Sequence, residues 1–525
     1  MSEAATSVNP GLSQPLLAKR TSPKWMISAL LTTAIVALPV LSVIFLAFFP
    51  EENIWPHLIE TTLPRYLTTT LKLMIGVGAL TLVIGLASAW AVTMCEFPGR
   101  KFFEWAMLLP FAVPAYVIAY VYTSLLDYAG PVQGALRDLF GWSSAADYWF
   151  PEIRSLEGAT LMIGLVLYPY VYLLARAAFL EQSPSLFAVS RSLGHSALST
   201  FFRVVLPIAR PAVAVGLSLV LMETLNDFGT VDFFAVQTLT AGLFDTWMNL
   251  GNLGGAAQIA TTMLIFVVIL VTLERYSRRR QQQFAARDNR EPIQRFTMSF
   301  PRQMICVAVC ALPVLFGFVI PGATLGLYAW EYFGESWNPD FVRNTFNSLF
   351  LSGTAALTTL LIGVTLAYSR RLHNTRKMQV LMRLSSLGYA MPGAVLAVGV
   401  IVPLAGFDNW LDSLMRDVFG ISTGLLLSGS AFALVFAYTV RFLAVSAGSV
   451  ESALQKITPS MDMASRSLGH TPGNTLVRVH LPMLRGTLVT AALVVFVDCM
   501  KELPATLILR PFNFETLATY VYQFA

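Results

Sequence analysis

The stretch SPSLFAVSRSLGHSALSTFFRVVLPIARP at 183–211 returns as TPSMDMASRSLGHTPGNTLVRVHLPMLRG at 458–486, a shift of 275 positions with 14 identities over 29 residues. Internal repeats are read before anything finer, because missing one misassigns the whole fold. Each copy sits at the same place in a series of apolar segments, so the chain reads as two homologous halves in tandem. Fainter echoes extend the duplication. Leu82-Val83-Ile84-Gly85 returns as Leu360-Leu361-Ile362-Gly363, and Ala112-Val113-Pro114 as Ala390-Met391-Pro392.

Composition sets the solvent. Of 525 residues, 55% are hydrophobic and only 12% charged, with a mean hydropathy of +0.63. Soluble domains carry about 25% charged residues. Crossing the hydrocarbon core takes about 20 mainly apolar residues. Eleven windows qualify, near 25–49, 67–93, 105–126, 158–180, 206–224, 256–273, 303–326, 344–368, 383–405, 424–447 and 482–500. The fold class is therefore all-α, a polytopic membrane protein of two homologous halves. Its expected parts are a polar tail (1–24), a first half of six spans (25–273), a basic linker (274–302) and a second half (303–525). The first apolar run is 25 residues, longer than a signal-peptide core of about 7–15 residues, so it is expected to remain as a span. At the 275-residue shift a twelfth span would fall near 531–548. Eleven are expected, with the end of the second half on the outer side.

Charge fixes orientation. With the N-terminus inside, the inner segments hold 26 Lys and Arg against 9 Asp and Glu, and the outer segments 7 against 19. Basic residues beside span ends stay cytoplasmic. The pI near 9.0 is thus a topology signal and not a nucleic-acid patch. Six spans plus a linker keep the two halves parallel, which places both copies of the repeat on the cytoplasmic side.

Each copy opens with a short helical run (184–193 and 459–468), followed by glycine, a second short run and Leu-Pro at the head of the next span. Gly194 and Gly469 suit the helix C-cap, where φ is positive. Pro207 and Pro482 suit a first helical turn, where no N–H is needed. Such a helix–turn–helix along the membrane face is a docking knob for a cytoplasmic partner.

Ala188-Val189-Ser190-Arg191-Ser192-Leu193-Gly194, with Leu206-Pro207, resembles the "EAA" loop of ABC-importer permeases, as does Met463-Ala464-Ser465-Arg466-Ser467-Leu468-Gly469 with Leu481-Pro482. The leading acid of that motif is replaced by Ala188 and Met463. The resemblance implies coupling helices that dock on an ATPase, with Ser190, Arg191, Gly194 and Pro207 in one copy and Ser465, Arg466, Gly469 and Pro482 in the other. The chain has no G-x-x-x-x-G-K-[ST] phosphate loop and no Gly-Lys dipeptide. It is expected to be a non-catalytic subunit without a bound cofactor, served by two copies of a cytoplasmic ATPase that uses the ATP.

The repeat also aligns acids beyond each loop, Glu223 with Asp498 and Asp227 with Glu502. Their i, i+4 spacing puts each pair on one helical face. Glu223 lies 16 residues beyond Pro207, about 24 Å along a helix, near the outer boundary. Ionisable groups in spans usually face a cavity or pathway, and oxygen ligands suit hard cations. A substrate pathway is one reading; neutralisation by Lys501 or capping of the outer helix ends is the other. The segments 223–251 and 498–525 resemble the fused two-half permeases of ferric-iron ABC importers, a likeness running over essentially the whole chain. It implies Fe³⁺ as substrate, a periplasmic binding protein docking on the acidic outer face, and residence in the bacterial inner membrane. Thiamine and polyamine permeases are the alternatives within the family, and a secondary transporter the alternative outside it.

Of the four cysteines (Cys95, Cys306, Cys310, Cys499), Cys306 and Cys310 lie one turn apart and read as small residues on a helix face. His195 and His470 follow the coupling glycines as interface or capping residues. Arg441 is expected to be buried and paired, Lys72 to reach the interface, and Pro114 and Pro392 to bend the third span of each half.

Overall fold

The computed structural model describes residues 23–182, 184–279 and 295–524. Among the described residues, ten helices are long and apolar enough to cross a bilayer, and a bent pair brings the number to eleven if it is counted as one span. The long helices are α1 (Pro23–Phe48), α2 (Leu63–Met94), α3 (Leu156–Leu180), α4 (Leu206–Asn226), α5 (Leu253–Arg279), α6 (Phe300–Glu331, with a π turn at Leu315–Val319), α7 (Pro339–Leu372), α8 (Gly393–Phe419), α9 (Ala431–Gln455) and α10 (Leu481–Met500). Ten of the eleven apolar windows overlap one of these helices or the bent pair along most of their length; the window 383–405 is instead broken at Met391-Pro392, and only 393–405 of it lies on α8. Large apolar side chains such as Leu41, Phe45, Ile75 and Leu361 stand exposed. A bilayer solvates such side chains where water does not.

Packing divides the described residues into two units, 23–43 with 344–517 and 44–343 with 518–524. The first span of each sequence half therefore packs with the body of the other half. In one unit Thr33 shares a 2.8 Å hydrogen bond with Ser385, and the Trp25 ring meets Tyr368 edge-on at 5.1 Å. In the other, the Tyr122 hydroxyl donates to the Phe316 carbonyl at 2.7 Å, and Ser124 pairs with Tyr328 at 3.0 Å. These contacts lie too far apart in sequence for a repeat to reveal them.

The repeat is nonetheless visible in the packing. A Cβ on Gly85 would sit 2.7 Å from Val171 Cβ, and one on Gly363 would sit 2.5 Å from Ser446 Oγ. Val171 and Ser446 are 275 residues apart, so the same crossing, α2 on α3 and α7 on α9, is built twice on one glycine.

Pro114 and Pro392 do more than bend a helix. Both adopt extended dihedrals (φ −61°, ψ 143° and φ −55°, ψ 141°) immediately before a new helix. The helices flanking the first, 100–112 and 115–140, meet at 89°. Proline removes the N–H that would carry a helix through and disfavours α geometry in the residue before it, so the helix ends there.

Candidate coupling loops and outer carboxylates

The first copy of the repeat folds as a helix over Pro184–Ser192 and the second as a helix over Pro459–Ser467. Gly194 (φ 77°) and Gly469 (φ 84°) close them in the left-handed region, where glycine avoids the Cβ penalty. The His195 and His470 amides donate to the Ser190 and Ser465 carbonyls at 3.1 and 3.2 Å.

The second short run is not a separate helix. It flows into the span through a π turn, Phe201–Val205 before α4 and Leu476–His480 before α10. Pro207 and Pro482 explain the widening. Each lacks the N–H that would bond four residues back, and its ring crowds that carbonyl. The ladder shifts to i→i+5, with Leu206 N donating to Phe201 O and Leu481 N to Leu476 O.

Ser190 and Ser465 turn inward. Each is buried and shares a 2.8 Å hydrogen bond with the threonine ten residues on, Thr200 and Thr475. They set the angle between coupling helix and span. Outward stand Leu193 and Leu468, 69% and 77% exposed, with Val189 and Met463 exposed beside them. Two equivalent leucines, each just before a capping glycine, form an exposed apolar surface on each loop. The identity at the repeat marked them, but reading them as contacts requires exposure. Arg466 is half-buried, and the Arg191 side chain lies outside the described residues.

The two loops differ beneath this shared surface. Under the first, Phe187 and Val205 are buried in an apolar cluster with Phe179. Under the second, the aligned positions are Asp462 and His480. Asp462 accepts from Arg371 Nε at 2.9 Å and Nη2 at 2.6 Å, and pairs with His480 Nε2 at 2.7 Å. Burial works against the Asp462 charge, yet the bonds from His480 and Arg371 outweigh it and hold the carboxyl below its usual range.

At their C-terminal ends the two helices stop sooner than the i, i+4 spacing assumes. α4 ends at Asn226 and α10 at Met500, so neither Asp227 nor Glu502 continues the face carrying Glu223 or Asp498. Both instead brace the short helix that follows. Asp227 accepts from Thr230 N and Oγ1 at 3.0 Å and from Val231 N at 3.2 Å. Glu502 accepts from Ala505 N and Thr506 N at 3.1 Å, from Thr506 Oγ1 at 2.9 Å, and from Arg441 Nη1 at 3.0 Å. Arg441 is thus buried and paired, and Lys72 is exposed. Lys501 lies 3.0 Å from Asp498. Glu223 is half-buried, and among the described residues no ion pair engages it.

Cys95 and Cys310 are buried and Cys306 half-buried. Among the described residues no group of three His, Cys, Asp or Glu side chains is arranged to hold a metal ion.

Comparison with known proteins then fixes the family. The model of the binding-protein-dependent transport system inner membrane component matches residues 81–283 and again 359–517. The chain belongs to that family. The double match falls on the two halves and includes both coupling loops. This permease is 24% identical over 472 residues to the Fe(3+)-transport system permease protein FbpB 2 of Haemophilus influenzae, covering 89% of this chain and 85% of that one. It is 23% identical over 537 residues to the ferric transport system permease protein FbpB of Actinobacillus pleuropneumoniae, covering 95% of this chain and 74% of that one. The molybdenum transport system permease protein ModB of Escherichia coli matches at 24% over 212 residues, 39% of this permease and 89% of ModB. A relative of half the length fits a permease built of two halves.

Proposed function

We propose that this permease imports ferric iron across the bacterial inner membrane, driven by two copies of a separate ABC ATPase. The observation that carries the ATPase assignment is the duplicated loop. A capped coupling helix, an inward serine and an outward leucine are built twice, 275 residues apart, as two equivalent docking knobs on one chain. Iron rests on the likeness to ferric permeases over nearly the whole length. ATP is bound and hydrolysed on the partner chains, and this subunit needs no cofactor of its own. A periplasmic binding protein delivers the ion to the acidic outer face, whose charge complements basic patches on such a partner. The charge asymmetry supports a cytoplasmic N-terminus.

Within the pathway the four aligned acids divide the labour. Glu223 and Asp498, on the spans themselves, offer oxygen to a hard cation in passage, Asp498 once the cation displaces Lys501, which lies 3.0 Å from it. Asp227 and Glu502 hold the turns that keep those helix ends open. Alternating access follows from ATP-driven movement of the coupling loops. The test is uptake of radiolabelled Fe³⁺ in transport-deficient cells expressing the permease with its ATPase and binding protein. Glu223→Ala with Asp498→Ala should abolish ATP-dependent uptake at unchanged membrane level. Retained uptake refutes the acid pathway, and no iron uptake by an assembled wild-type complex refutes iron as cargo.

A further inference from the structure

We propose that Arg371, Asp462 and His480 form a clamp that fixes the second coupling helix to two spans at once, making that loop the stiffer of the two mechanical links. The proposal rests on the reading that this loop docks an ATPase. Asp462 belongs to the coupling helix, Arg371 to the inner end of α7 and His480 to the π turn that opens α10. One carboxylate therefore joins three elements. Oδ2 takes both Arg371 bonds, and Oδ1 takes His480 at 2.7 Å.

The surroundings lock the same three groups. Arg371 Nη2 donates to the Ile457 carbonyl at 3.0 Å, and Nη1 donates to that of Leu454, both on the stretch leading into the loop. His480 is fully buried, with the Tyr368 ring 5.6 Å from its own. The Tyr368 hydroxyl donates at 2.7 Å to the carbonyl of Pro472, on the far side of the glycine turn.

Among the described residues, the first loop has no such carboxylate. The Phe187 and Val205 side chains hold the places of Asp462 and His480 and pack in an apolar cluster, and a polar tie there is the Gln182 amide donating to the Val205 carbonyl at 3.0 Å. Apolar packing lets side chains slide at small cost, whereas a buried charge bound by two cationic or polar donors does not, because separation leaves it uncompensated. The two loops present equal leucines to their partners but transmit movement through different joints. The clamp residues are positioning residues, since they reach the ATPase only through the helix they hold.

The experiment uses the full complex of permease, ATPase and binding protein in proteoliposomes, and reads Fe³⁺ transported per ATP hydrolysed. Asp462→Ala should keep the ATPase bound and hydrolysing while the transport-to-hydrolysis ratio falls severalfold. Asp462→Asn retains shape and one acceptor oxygen but neither the charge nor the second acceptor, and should fall between it and wild type. It also serves as the readout if the alanine variant does not reach the membrane. Phe187→Ala, at the aligned position of the first loop, should lower membrane level without changing the ratio. An unchanged ratio in both Asp462 variants overturns the clamp alone. A wild-type complex that holds no ATPase or carries no iron overturns the functional reading, and the clamp with it.

Discussion

Arg441→Met tests the buried pairing at the outer end of α10. The arginine and its partner Glu502 are 7% and 3% exposed, with 3.0 Å between Nη1 and Oε1. Removing one partner of a buried pair costs about 3–5 kcal/mol, because the remaining charge stays buried without compensation. Glu502 keeps three other donors, Ala505 N, Thr506 N and Thr506 Oγ1, so the lower end of that range applies. At about 2–4 °C per kcal/mol for a unit of this size, the detergent-solubilised permease should lose roughly 6–12 °C in apparent thermal midpoint. The double variant Arg441→Met with Glu502→Gln removes both charges and should recover more than half of the loss. The assay is tryptophan-fluorescence unfolding of wild type, both single variants and the double. An Arg441→Met variant as stable as wild type, or a double variant showing the sum of the two single losses, refutes the reasoning.

Four further outcomes follow from the same geometry. Gly393→Ala places a Cβ 2.4 Å from Arg441 Nη1 and 2.5 Å from Glu502 Oε1, and should cost about 1–3 kcal/mol by overpacking, read as a lower thermal midpoint. Gly469→Ala meets open space but a φ of 84°. It should cost about 1–2 kcal/mol, shown as weaker ATPase co-purification, with Gly469→Asn milder. Ser465→Ala should cost only about 1 kcal/mol, since the Thr475 hydroxyl also donates to the Thr471 carbonyl at 3.1 Å; thermal unfolding against Thr475→Val checks this. Asp462 has a depressed folded pKa, so its contribution is whole above the ordinary aspartate value of about 4 and is lost as pH falls through the lower folded value. Asp462→Asn should therefore flatten the acid limb of the stability profile, measured by unfolding across pH below the ordinary aspartate value.

Much of this architecture is legible in the sequence because bilayer solvation and helix capping are local. Apolar runs locate the spans, and a glycine thirteen residues before a proline marks each coupling loop whatever the rest of the fold does. Three features are not local. The association of α1 and α6 with the body of the opposite half is decided by contacts such as Thr33–Ser385, whose partners lie 352 residues apart. The roles of Asp227 and Glu502 depend on where α4 and α10 end. Spacing assumes an unbroken helix, and the chain turns one residue sooner than Asp227 and two sooner than Glu502. The Asp462 clamp escapes the repeat because identity draws attention to matched residues, whereas Asp462 and His480 matter through their mismatch with Phe187 and Val205.

The central claim, that two equivalent loops each dock one ATPase, is tested most directly by counting ATPase subunits on the purified permease by native mass spectrometry. Wild type should carry two. Leu193→Asp and Leu468→Asp introduce a charge into the exposed apolar contact of one loop each. Each single variant should carry one firmly held subunit, and the double variant none. Two subunits retained on the double variant would contradict the account.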